Sequence, residues 1–490
     1  MTDLYVRADA WDLAPNDPVI TAYAGAVAAM RQKNPSDPTS WAYQAAMHGL
    51  QNGSLAIPPA NQCQHASWYF LPWHRMYLYY FEQIVRAQVI ANGSPATWAL
   101  PYWNYDAGGD ANKLPAAFRD PASALYVAQR APGFNDGAAG LPTGPNGITS
   151  AWQAFDLPTY TGAGDFGGGQ TNTPIQFFDQ TQTGQLENTP HNAVHDAIGG
   201  QSGLMASPYT AARDPIFWLH HANIDRLWWL WEQQAQNSDP SDPNWGGQNF
   251  LSMGGFYDAS GNLIQAGAVL TCAGVRETAA QLGYTYDKKV FPTQGPAPAR
   301  RVSWPAPWPG PPRAVAGPGA PRSLVGASDG PVRLVGQTVT VPVAIDERAA
   351  ASLQAPGQPA VQHRVFLDIE HIDAERNPGR VYGVYVNLPN PGQPADADLA
   401  THFAGNLSLF GIEAARRPMR DEPPHSLNVS LDITRVLDRL ADAGEWTDGH
   451  QLAVTFRPTP LEAAPDRADL TATDHASLPI MIGRVSVHYA

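Results

Sequence analysis

Two histidines four residues apart are the sharpest sign of chemistry in the sequence. They stand in the segment Pro190-His191-Asn-Ala-Val-His195, and on a helix this spacing places both imidazoles on one face, within reach of one metal ion. A third imidazole comes from His220 or His221 in an apolar run, where an unpartnered ring would cost desolvation free energy. Adjacent helical residues point about 100° apart, so only one of the two faces the metal, and the spacing does not choose between them.

Three further histidines precede that group and have no helical spacing among themselves. They are His48, His65 and His74, and Cys63 is the only thiol near them. Taken singly, they would be unrelated histidines with ordinary hydrogen-bond partners. As a second set of three imidazoles without a carboxylate, they suit copper, zinc, iron or nickel. Two such sets predict a dinuclear metal centre and disfavour a zinc hydrolase, whose sites usually include carboxylate ligands.

Two long runs with no internal glycine or proline predict the helices that position these histidines. Residues 74–90 follow Pro72, and residues 215–235 follow Asp214, which is a good N-cap residue with a proline directly after it. Apolar residues cover the second run broadly, so we expect that helix to be deeply buried. The stretch 106–186 is rich in Gly, Pro, Thr and Asn and is expected to be loop. The N-terminal part is therefore predicted as mainly α, with a helical bundle around the metal centre and long loops.

The last third of the chain has a different composition and periodicity. Ten prolines lie between Pro292 and Pro321, so this segment is expected to form a semi-rigid strap on the surface without regular hydrogen-bonded structure. Beyond it, short runs such as 339–345 and 452–456 alternate apolar and polar residues, which is typical of an all-β sandwich. The predicted organisation is a metal-binding domain over 1–290, a Pro-rich linker or strap over 291–325 and a β-sandwich C-terminal domain over 326–490.

Composition excludes several classes of protein. The 490 residues carry a formal net charge of −14, which argues against nucleic acid as the main partner because phosphate binding needs a basic face. Two cysteines cannot make a disulfide framework, and no stretch of about 18 apolar residues exists to span a bilayer. The N-terminus lacks the basic and then apolar pattern of a secretory signal. We therefore expect a cytoplasmic protein in a reducing compartment, with neither nucleic acid nor membrane as partner.

Three segments around the histidines resemble one known family. They are Phe70-Leu-Pro-Trp-His74-Arg, Pro101-Tyr-Trp-Asn-Tyr-Asp106 and the stretch 213–226, which contains Asp-Pro-Ile-Phe-Trp-Leu-His-His. They look like the type 3 copper proteins, which comprise tyrosinases, catechol oxidases and molluscan haemocyanins, and a weaker similarity to plant polyphenol oxidases continues to the C-terminus. The resemblance implies two copper ions as cofactors. The implied ligands are His48, His65 and His74 for the first copper and His191, His195 and His221 for the second, with His220 as a packing neighbour.

The same resemblance implies roles for residues beside the ligands. Cys63, two residues before His65, matches the cysteine that forms a thioether bond to that histidine in fungal tyrosinases; its alternative is a buried thiol. Glu187 and Asn192 match residues that hold a water near the copper site and help it to take the proton of a monophenol, so they are the candidate catalytic residues. Glu187 has an alternative interpretation as a helix-entry carboxylate that accepts hydrogen bonds from free N–H groups.

Further positions are implied behind the ligands and at the substrate entrance. Phe217 is expected to pack against the ligands, and Asp225 to support them from behind. Met205 and Pro208 belong to the loop that would form the wall of the substrate entrance. Pro208 stands about where many plant enzymes place a gating phenylalanine, so a more open mouth is expected. The segment Tyr284-Thr-Tyr286 matches the motif that closes the plant catalytic domain and is expected to clamp the strap.

The C-terminal part resembles the shielding domain of plant polyphenol oxidases, which covers the copper site until proteolysis removes it. By this resemblance the chain is a latent precursor with an activating protease as partner, and cleavage falls in the strap. Phe403, Leu409 or Phe410 is expected to supply an apolar plug over the site.

The function implied by the resemblance is that of a dicopper phenol oxidase. Its expected partners are O2 and a small phenolic substrate: o-diphenols are oxidised to o-quinones, and monophenols are candidates for prior hydroxylation. Two alternatives share the six histidines, namely a haemocyanin-like oxygen-binding protein whose lid excludes phenols, and an o-aminophenol oxidase that differs in substrate. Catalysis that emerges after proteolysis or mild detergent distinguishes the enzyme from the oxygen carrier.

Overall fold

A helical N-terminal domain and a β-rich C-terminal domain lie against each other in the structure, which is a computed structural model. The structure describes residues 4–50, 60–162, 164–171, 183–267, 270–292, 295–296, 304–308, 322–352, 364–416, 424–459 and 478–489.

Helices form the framework of the N-terminal domain. Their bounds are α1 (Pro18–Gln32), α2 (Trp41–His48), α3 (Phe70–Ala91), α4 (Ala116–Arg119), α5 (Trp152–Phe155), α6 (Ala193–Gly199), α7 (Pro215–Trp231), α8 (Pro243–Gly247) and α9 (Thr278–Leu282). A π-helical turn, Glu187–Asn192, leads into α6. Where it is described, the stretch 106–186 is mostly irregular, with only α4 and α5 as short helices.

Both predicted long helices are present, with slightly different ends. The helix α3 starts at Phe70 rather than at residue 74, because the residues before His74 continue its buried face. The helix α7 starts at the predicted place, where the Asp214 carboxylate accepts a hydrogen bond from the backbone N–H of Ile216 at 3.1 Å. All but one of the α7 residues are buried, as the broad apolar surface predicted. These two helices therefore carry histidines into the centre of the domain.

The C-terminal domain is built on one antiparallel sheet rather than on the predicted two-sheet sandwich. Its strands are β3 (Ser323–Ala327), β4 (Val332–Leu334), β5 (Val339–Ile345), β6 (Val365–Asp373), β7 (Tyr382–Val386), β8 (Phe403–Leu407), β9 (Leu427–Asp432), β10 (Gln451–Pro458) and β11 (Ile480–Tyr489). Among the described residues their order is β8-β7-β10-β5-β3-β11-β6-β9, with β4 beside β11. The end strands β8 and β9 approach each other, so the sheet is nearly closed. Alternation along a strand shows which side chains face the core but not which strands pair, and for this reason the strands were predicted better than the sheet.

Part of the predicted linker packs into the C-terminal domain. Trp304 and Trp308 are buried, and their ring centroids lie 5.7 and 5.5 Å from that of Trp446. The indole N–H of Trp304 donates to Asp438, and that of Trp308 donates to the carbonyl oxygen of Gly449, both at 2.8 Å. This piece of the strap therefore completes the C-terminal core instead of lying on the surface.

Four short helices and a small parallel sheet complete the two domains. The C-terminal domain adds the helices α10 (Glu347–Ser352), α11 (Asp396–His402), α12 (Ile412–Arg416) and α13 (Thr434–Asp442). Two short strands of the N-terminal domain, β1 (Tyr5–Arg7) and β2 (Tyr284–Tyr286), pair in parallel. In the part of the chain that the structure describes, no helix has both the length and the apolar character needed to cross a bilayer.

Candidate metal centre

The first group of histidines comes together although no spacing in the sequence requires it. His48 ends α2, His65 lies in the segment that leads to α3, and His74 is in the first turn of α3. Their ring centroids are between 5.2 and 5.6 Å apart, and one nitrogen of each lies within 4.8 Å of the others. All three side chains are buried. The fold thus brings three imidazoles together in one buried site.

The second group contains four histidines. His191 lies in the π-helical turn and His195 in α6, while His220 and His221 lie in the middle of α7. One nitrogen of each ring lies within 4.8 Å of the others, and all four side chains are buried. The four-residue spacing therefore does bring His191 and His195 to one place.

The two groups face each other between α3 and α7. The rings of His74 and His221 are stacked with centroids 4.5 Å apart, and the centroids of His65 and His191 are 5.6 Å apart. The groups are therefore halves of one dinuclear site and not two separate sites.

Backbone carbonyl groups orient three of the imidazoles. The Nδ1–H groups of His48, His74 and His195 donate to the carbonyl oxygens of Pro208, Phe70 and Met205 at 2.9, 2.8 and 3.0 Å. These bonds assign the tautomer with the proton on Nδ1, which leaves the Nε2 lone pair free for a metal ion. His191 is held similarly, since its Nδ1 lies 2.8 Å from the side-chain oxygen of Asn192.

The free nitrogens fit metal ions. In the described part of the chain, the buried Nε2 atoms of His48, His74 and His191 have no hydrogen-bond partner, and such atoms are costly unless something binds them. The Nε2 atoms of His195 and His221 lie 3.4 Å apart. Two imidazole nitrogens on one tetrahedral ion, each at about 2.0–2.1 Å, have roughly this separation.

Burial also keeps these imidazoles in the protonation state that metal binding needs. Desolvation lowers the pKa of His48 to about 3. It also lowers the pKa of the other predicted ligands well below the usual value; these are His65, His74, His191, His195 and His221. A neutral ring with a free lone pair is the form of histidine that ligates a metal. The two facing groups therefore offer neutral nitrogen donors to a metal ion.

His220 and His221 have different neighbours, which the spacing could not show. The ring of His221 reaches the first group, with its centroid 4.5 Å from that of His74 and 6.1 Å from that of His48. The ring of His220 stacks on His191 at 5.5 Å and lies 5.9 Å from Tyr105. The position of His221 between the groups favours it as the ligand.

An aromatic ring and a charged cluster support the ligands. Phe217 packs on His221 and His48, with centroids 4.1 and 4.8 Å away. Asp225, one turn after His221, accepts hydrogen bonds from buried Arg7 at 3.0 Å and from Arg75, the residue after His74. Burial alone would raise the pKa of Asp225, but Arg75 and Arg7 hold it below its usual value. This carboxylate joins the two helices that carry His74 and His221.

The Tyr-x-Tyr segment contacts that cluster, and most of the strap that it was predicted to clamp lies outside the described residues. The hydroxyl group of Tyr284 donates to Asp225 at 2.6 Å, and that of Tyr286 donates to the same oxygen. The guanidinium group of Arg7 lies over the ring of Tyr284, 3.8 Å from its centroid. In the described residues the two tyrosines therefore clamp β1 and α7.

Glu187 and Asn192 each bind a backbone or ring group next to a ligand. Both carboxylate oxygens of Glu187 accept the backbone N–H of Ala66, at 2.8 and 2.9 Å, and one of them lies 4.0 Å from Nδ1 of His65. Burial raises the pKa of Glu187 to about 8. Asn192 binds His191, as described above. Their action on a water stays a prediction.

Cys63 is buried in the N-terminal core, close in sequence to His65. It is a free cysteine in the structure, and burial raises the pKa of its thiol. The thioether bond to His65 stays a prediction.

The C-terminal domain covers the loop that was predicted to form the wall of the substrate entrance, and the more open mouth expected from Pro208 stays a prediction. Met205 and Pro208 are buried, and the ring of Phe410 from the C-terminal domain stacks on His195 with centroids 4.1 Å apart. The other two plug candidates have different partners: Phe403 packs with Trp152 at the domain interface, and Leu409 lies in the C-terminal core. Of the three, Phe410 is the one that contacts the histidines.

Two polar residues at the domain interface were missed by the sequence analysis. Asp196, directly after His195, is fully buried and accepts hydrogen bonds from Asn377 and Ser408, both at 2.6 Å, and from the backbone N–H of Leu409 at 2.7 Å. A carboxylate inside the buried turn of α6 was the only signal for Asp196. Nothing near Asn377 marks it in the sequence.

Comparison with known proteins identifies relatives for the whole chain. The family described as the common central domain of tyrosinase matches residues 38–234, and a domain of unknown function (DUF7868) matches residues 321–490. A tyrosinase of Hahella sp. (strain CCB-MM4) is 33% identical, over 96% of this chain and 97% of the relative. The (+)-larreatricin hydroxylase of Larrea tridentata is 29% identical, over 87% of this chain and 71% of the relative. The structure of latent apple tyrosinase has the same fold, with a TM-score of 0.64 at 23% identity over 100% of this chain and 98% of that one.

The fold and the two facing histidine groups define a dicopper protein of the type 3 class. The Hahella tyrosinase, which matches almost the whole chain, assigns the chain to a family within this class. The chain belongs to the tyrosinase family, whose members use two copper ions, and it is a copper-dependent oxidoreductase of the tyrosinase and catechol oxidase kind.

Proposed function

We propose that the chain is a latent o-diphenol oxidase in which two o-diphenols and one O2 yield two o-quinones and two waters. The observation that supports it most is the pair of facing groups of buried, neutral imidazoles. Copper, when bound, supplies the one-electron steps through which O2 accepts electrons from phenols. The surrounding Trp and Phe side chains exclude bulk water from that reaction.

The proposed ligands follow from the free nitrogens and from the position of each ring. His48, His65 and His74 hold the first copper, and His191, His195 and His221 hold the second. Three of these rings are fixed by backbone carbonyl groups, so the protein presents the lone pairs before any metal arrives.

Latency is proposed from the position of Phe410. Its ring is fully buried and lies within 6 Å of three ligand histidines, with centroid distances of 4.1 Å to His195, 5.7 Å to His191 and 5.9 Å to His65. A phenolic ring must approach the same face of His195 to reach the metals. Movement or removal of the C-terminal domain is therefore required for oxidation, and monophenols would enter the same space.

The test begins with copper content. The full chain is loaded with copper, and O2 uptake is measured with a catechol, a tyrosine-like monophenol and an o-aminophenol, first on the intact chain and then after cleavage of the strap and separation of the two domains in mild urea. His191→Ala is compared with His402→Ala, which replaces another buried histidine, one that bonds Val386 and Glu445 and belongs to neither histidine group. We expect about two copper ions per wild-type chain, a loss of copper and oxidation in His191→Ala, and neither loss in His402→Ala.

The other outcomes separate the alternatives. Reversible O2 binding with no phenol oxidation after cleavage and separation of the domains identifies an oxygen-binding protein, and uptake with the o-aminophenol alone identifies an o-aminophenol oxidase. Unchanged copper content and oxidation in His191→Ala reject the proposed site.

A further inference from the structure

One short loop orients a histidine in each half of the metal centre. The carbonyl oxygen of Met205 accepts the Nδ1–H of His195 at 3.0 Å, and that of Pro208 accepts the Nδ1–H of His48 at 2.9 Å. A displacement of this loop would turn an imidazole of each group at the same time. What holds the loop 205–208 therefore matters for both metals.

The C-terminal domain holds this loop through Asn377. The side-chain amide of Asn377 donates to the carbonyl oxygen of Ala206 at 3.1 Å and to the carboxylate of Asp196 at 2.6 Å. Ala206 follows Met205 in the loop, and Asp196 follows His195 in α6. The amide thus connects two chain segments that also meet through the hydrogen bond from His195 to Met205 and through the close approach of Gly199 to Ala206.

The surroundings of Asn377 fix the position of its amide. Its side chain is 1% exposed, and its own oxygen accepts the backbone N–H of Gly379 at 2.9 Å. Gly379 has a φ of +63° and lies so close to Gly200 that a Cβ would stand 2.2 Å from a backbone atom of Gly200. Val381 is buried in the core of the N-terminal domain. Residues 377–381 are therefore a hook that the C-terminal domain inserts beside the metal centre.

We propose that Asn377 of the C-terminal domain is a positioning residue for the copper site in the N-terminal domain. It holds the loop 205–208 against α6 and so keeps His195 and His48 aimed at the metals, independently of the cover that Phe410 provides. The inference rests on the proposed copper ligands. It gives the C-terminal domain a second task, which is to retain copper as well as to block the entrance.

The test compares two buried asparagines of the same interface. Asn377→Ala removes the amide, whereas Asn406→Ala removes a side chain whose single hydrogen bond among the described residues is a 3.4 Å bond to Thr189, outside the loop 205–208. Copper-loaded full-length chains are mixed with excess chelator, and copper release is followed over time. Loss of a group that orients a ligand typically weakens a metal site by 10–100-fold, so we expect about ten-fold faster release in Asn377→Ala and little change in Asn406→Ala.

A second readout needs no metal. In copper-free chains labelled with ¹⁵N-histidine, the Nδ1–H signals of His195 and His48 should shift in Asn377→Ala and stay in place in Asn406→Ala. If Asn377→Ala does not fold, Gly379→Ala is measured instead, because its new methyl group clashes with Gly200 and displaces the hook. Equal release rates in Asn377→Ala and wild type, equal acceleration in both asparagine variants, or unshifted histidine signals overturn the proposal. A wild-type chain that binds no copper pair rejects the proposed function instead, so the two failures are distinguishable.

Discussion

Phe410 occupies the face of His195 that the proposed function assigns to a phenolic ring. The phenyl group is fully buried there, so the intact chain already satisfies the apolar surface that a substrate would cover. Burial of such a side chain contributes about 1.5–3 kcal/mol, which the substrate has to displace. In the proposed function, latency at this scale would be a competition between two aromatic rings.

Phe410→Ala should therefore weaken latency without any proteolysis. We expect the uncleaved variant to oxidise a catechol roughly ten-fold faster or more than the uncleaved wild type, because the competing burial free energy is gone. The rate is measured by O2 uptake at equal copper content.

Phe403→Ala is the matched control for this change. Phe403 is as buried as Phe410 and lies at the same interface, but it packs with Trp152 and Tyr385 instead of the histidines. An equal gain in both variants would show that looser docking, and not an opened site, causes the activity.

The sequence predicted the residue types of the metal centre much better than the contacts among them. The spacing of His191 and His195 is local and follows from helix geometry, so it could be interpreted directly. The choice of His221 over His220, and of Phe410 over Phe403 and Leu409, depends on how distant segments pack. No local pattern records that packing.

At the level of elements, one buried carboxylate joins the two helices that supply opposite halves of the site. Asp225 of α7 binds Arg75 of α3 and Arg7 of β1, and the side chains of both arginines are fully buried. Tyr284 and Tyr286 of β2 satisfy the remaining acceptor capacity. The distance between α3 and α7, and with it the distance between His74 and His221, depends on this cluster.

Asp225→Asn should be strongly destabilising. The change removes the carboxylate that Arg7 and Arg75 share and leaves each arginine with one acidic partner, Glu82 at 2.6 Å and Glu232 at 3.6 Å. The loss of one member of a buried ion pair typically costs 3–5 kcal/mol, and we take the lower end because these partners remain. We expect a decrease of about 3 kcal/mol or more in the free energy of unfolding of the copper-free N-terminal domain. Urea titration followed by tryptophan fluorescence measures it.

Asp110→Asn gives the comparison on an exposed aspartate. Its side chain is 67% exposed and pairs with Lys113, so the same titration should show a change of about 0.5 kcal/mol or less. Similar values for the two variants would contradict the assignment of Asp225 as the link between α3 and α7.

The helices and strands were easier to predict from the sequence than the way in which the strands pair. Both long helices and the major strands were predictable, because periodicity is a property of single segments. The single nearly closed sheet was not, because it depends on pairings such as β10 with β5 and β7, and β11 with β3 and β6. Sequence patterns of one chain hold little information on such pairings.

At the scale of the whole molecule, the domains are held together by more than the strap. Arg364 of the C-terminal domain pairs with Asp165, Arg435 pairs with Asp156 at 2.6 Å, and Gln153 donates to the carbonyl oxygen of Ala404 at 2.8 Å. Cutting the strap alone leaves these contacts and Phe410 in place. If the chain is latent as proposed, activation would require a separation of the domains after the cut.

The position of the cut should decide how readily the domains separate. Trp304 and Trp308 pack into the C-terminal core, so a cut within 309–321 leaves this segment attached to the N-terminal domain and tethered to the C-terminal one. A cut within 297–303 removes that tether. We expect both nicked chains to elute as one complex, and the chain cut within 297–303 to separate and gain catechol oxidation at a lower urea concentration.

Engineered protease sites at 298–301 and 314–317 provide the two nicked chains, and size-exclusion chromatography in urea measures the separation. Identical urea midpoints for the two would contradict the role of the tryptophan segment as a tether. Separation of both on dilution alone would contradict the strength assigned to the interface.

The loop 205–208 orients two histidines through main-chain carbonyl oxygens and not through side chains. Mutations in the loop can therefore affect its surface without affecting these hydrogen bonds. A point mutation can replace the side chain of Met205 or Pro208, but it leaves the carbonyl oxygen that the imidazole needs. Substitutions can therefore change the shape and polarity of the loop surface during evolution while the orientation of His195 and His48 stays the same. Substrate choice and metal retention are free to evolve at different speeds within one stretch of four residues.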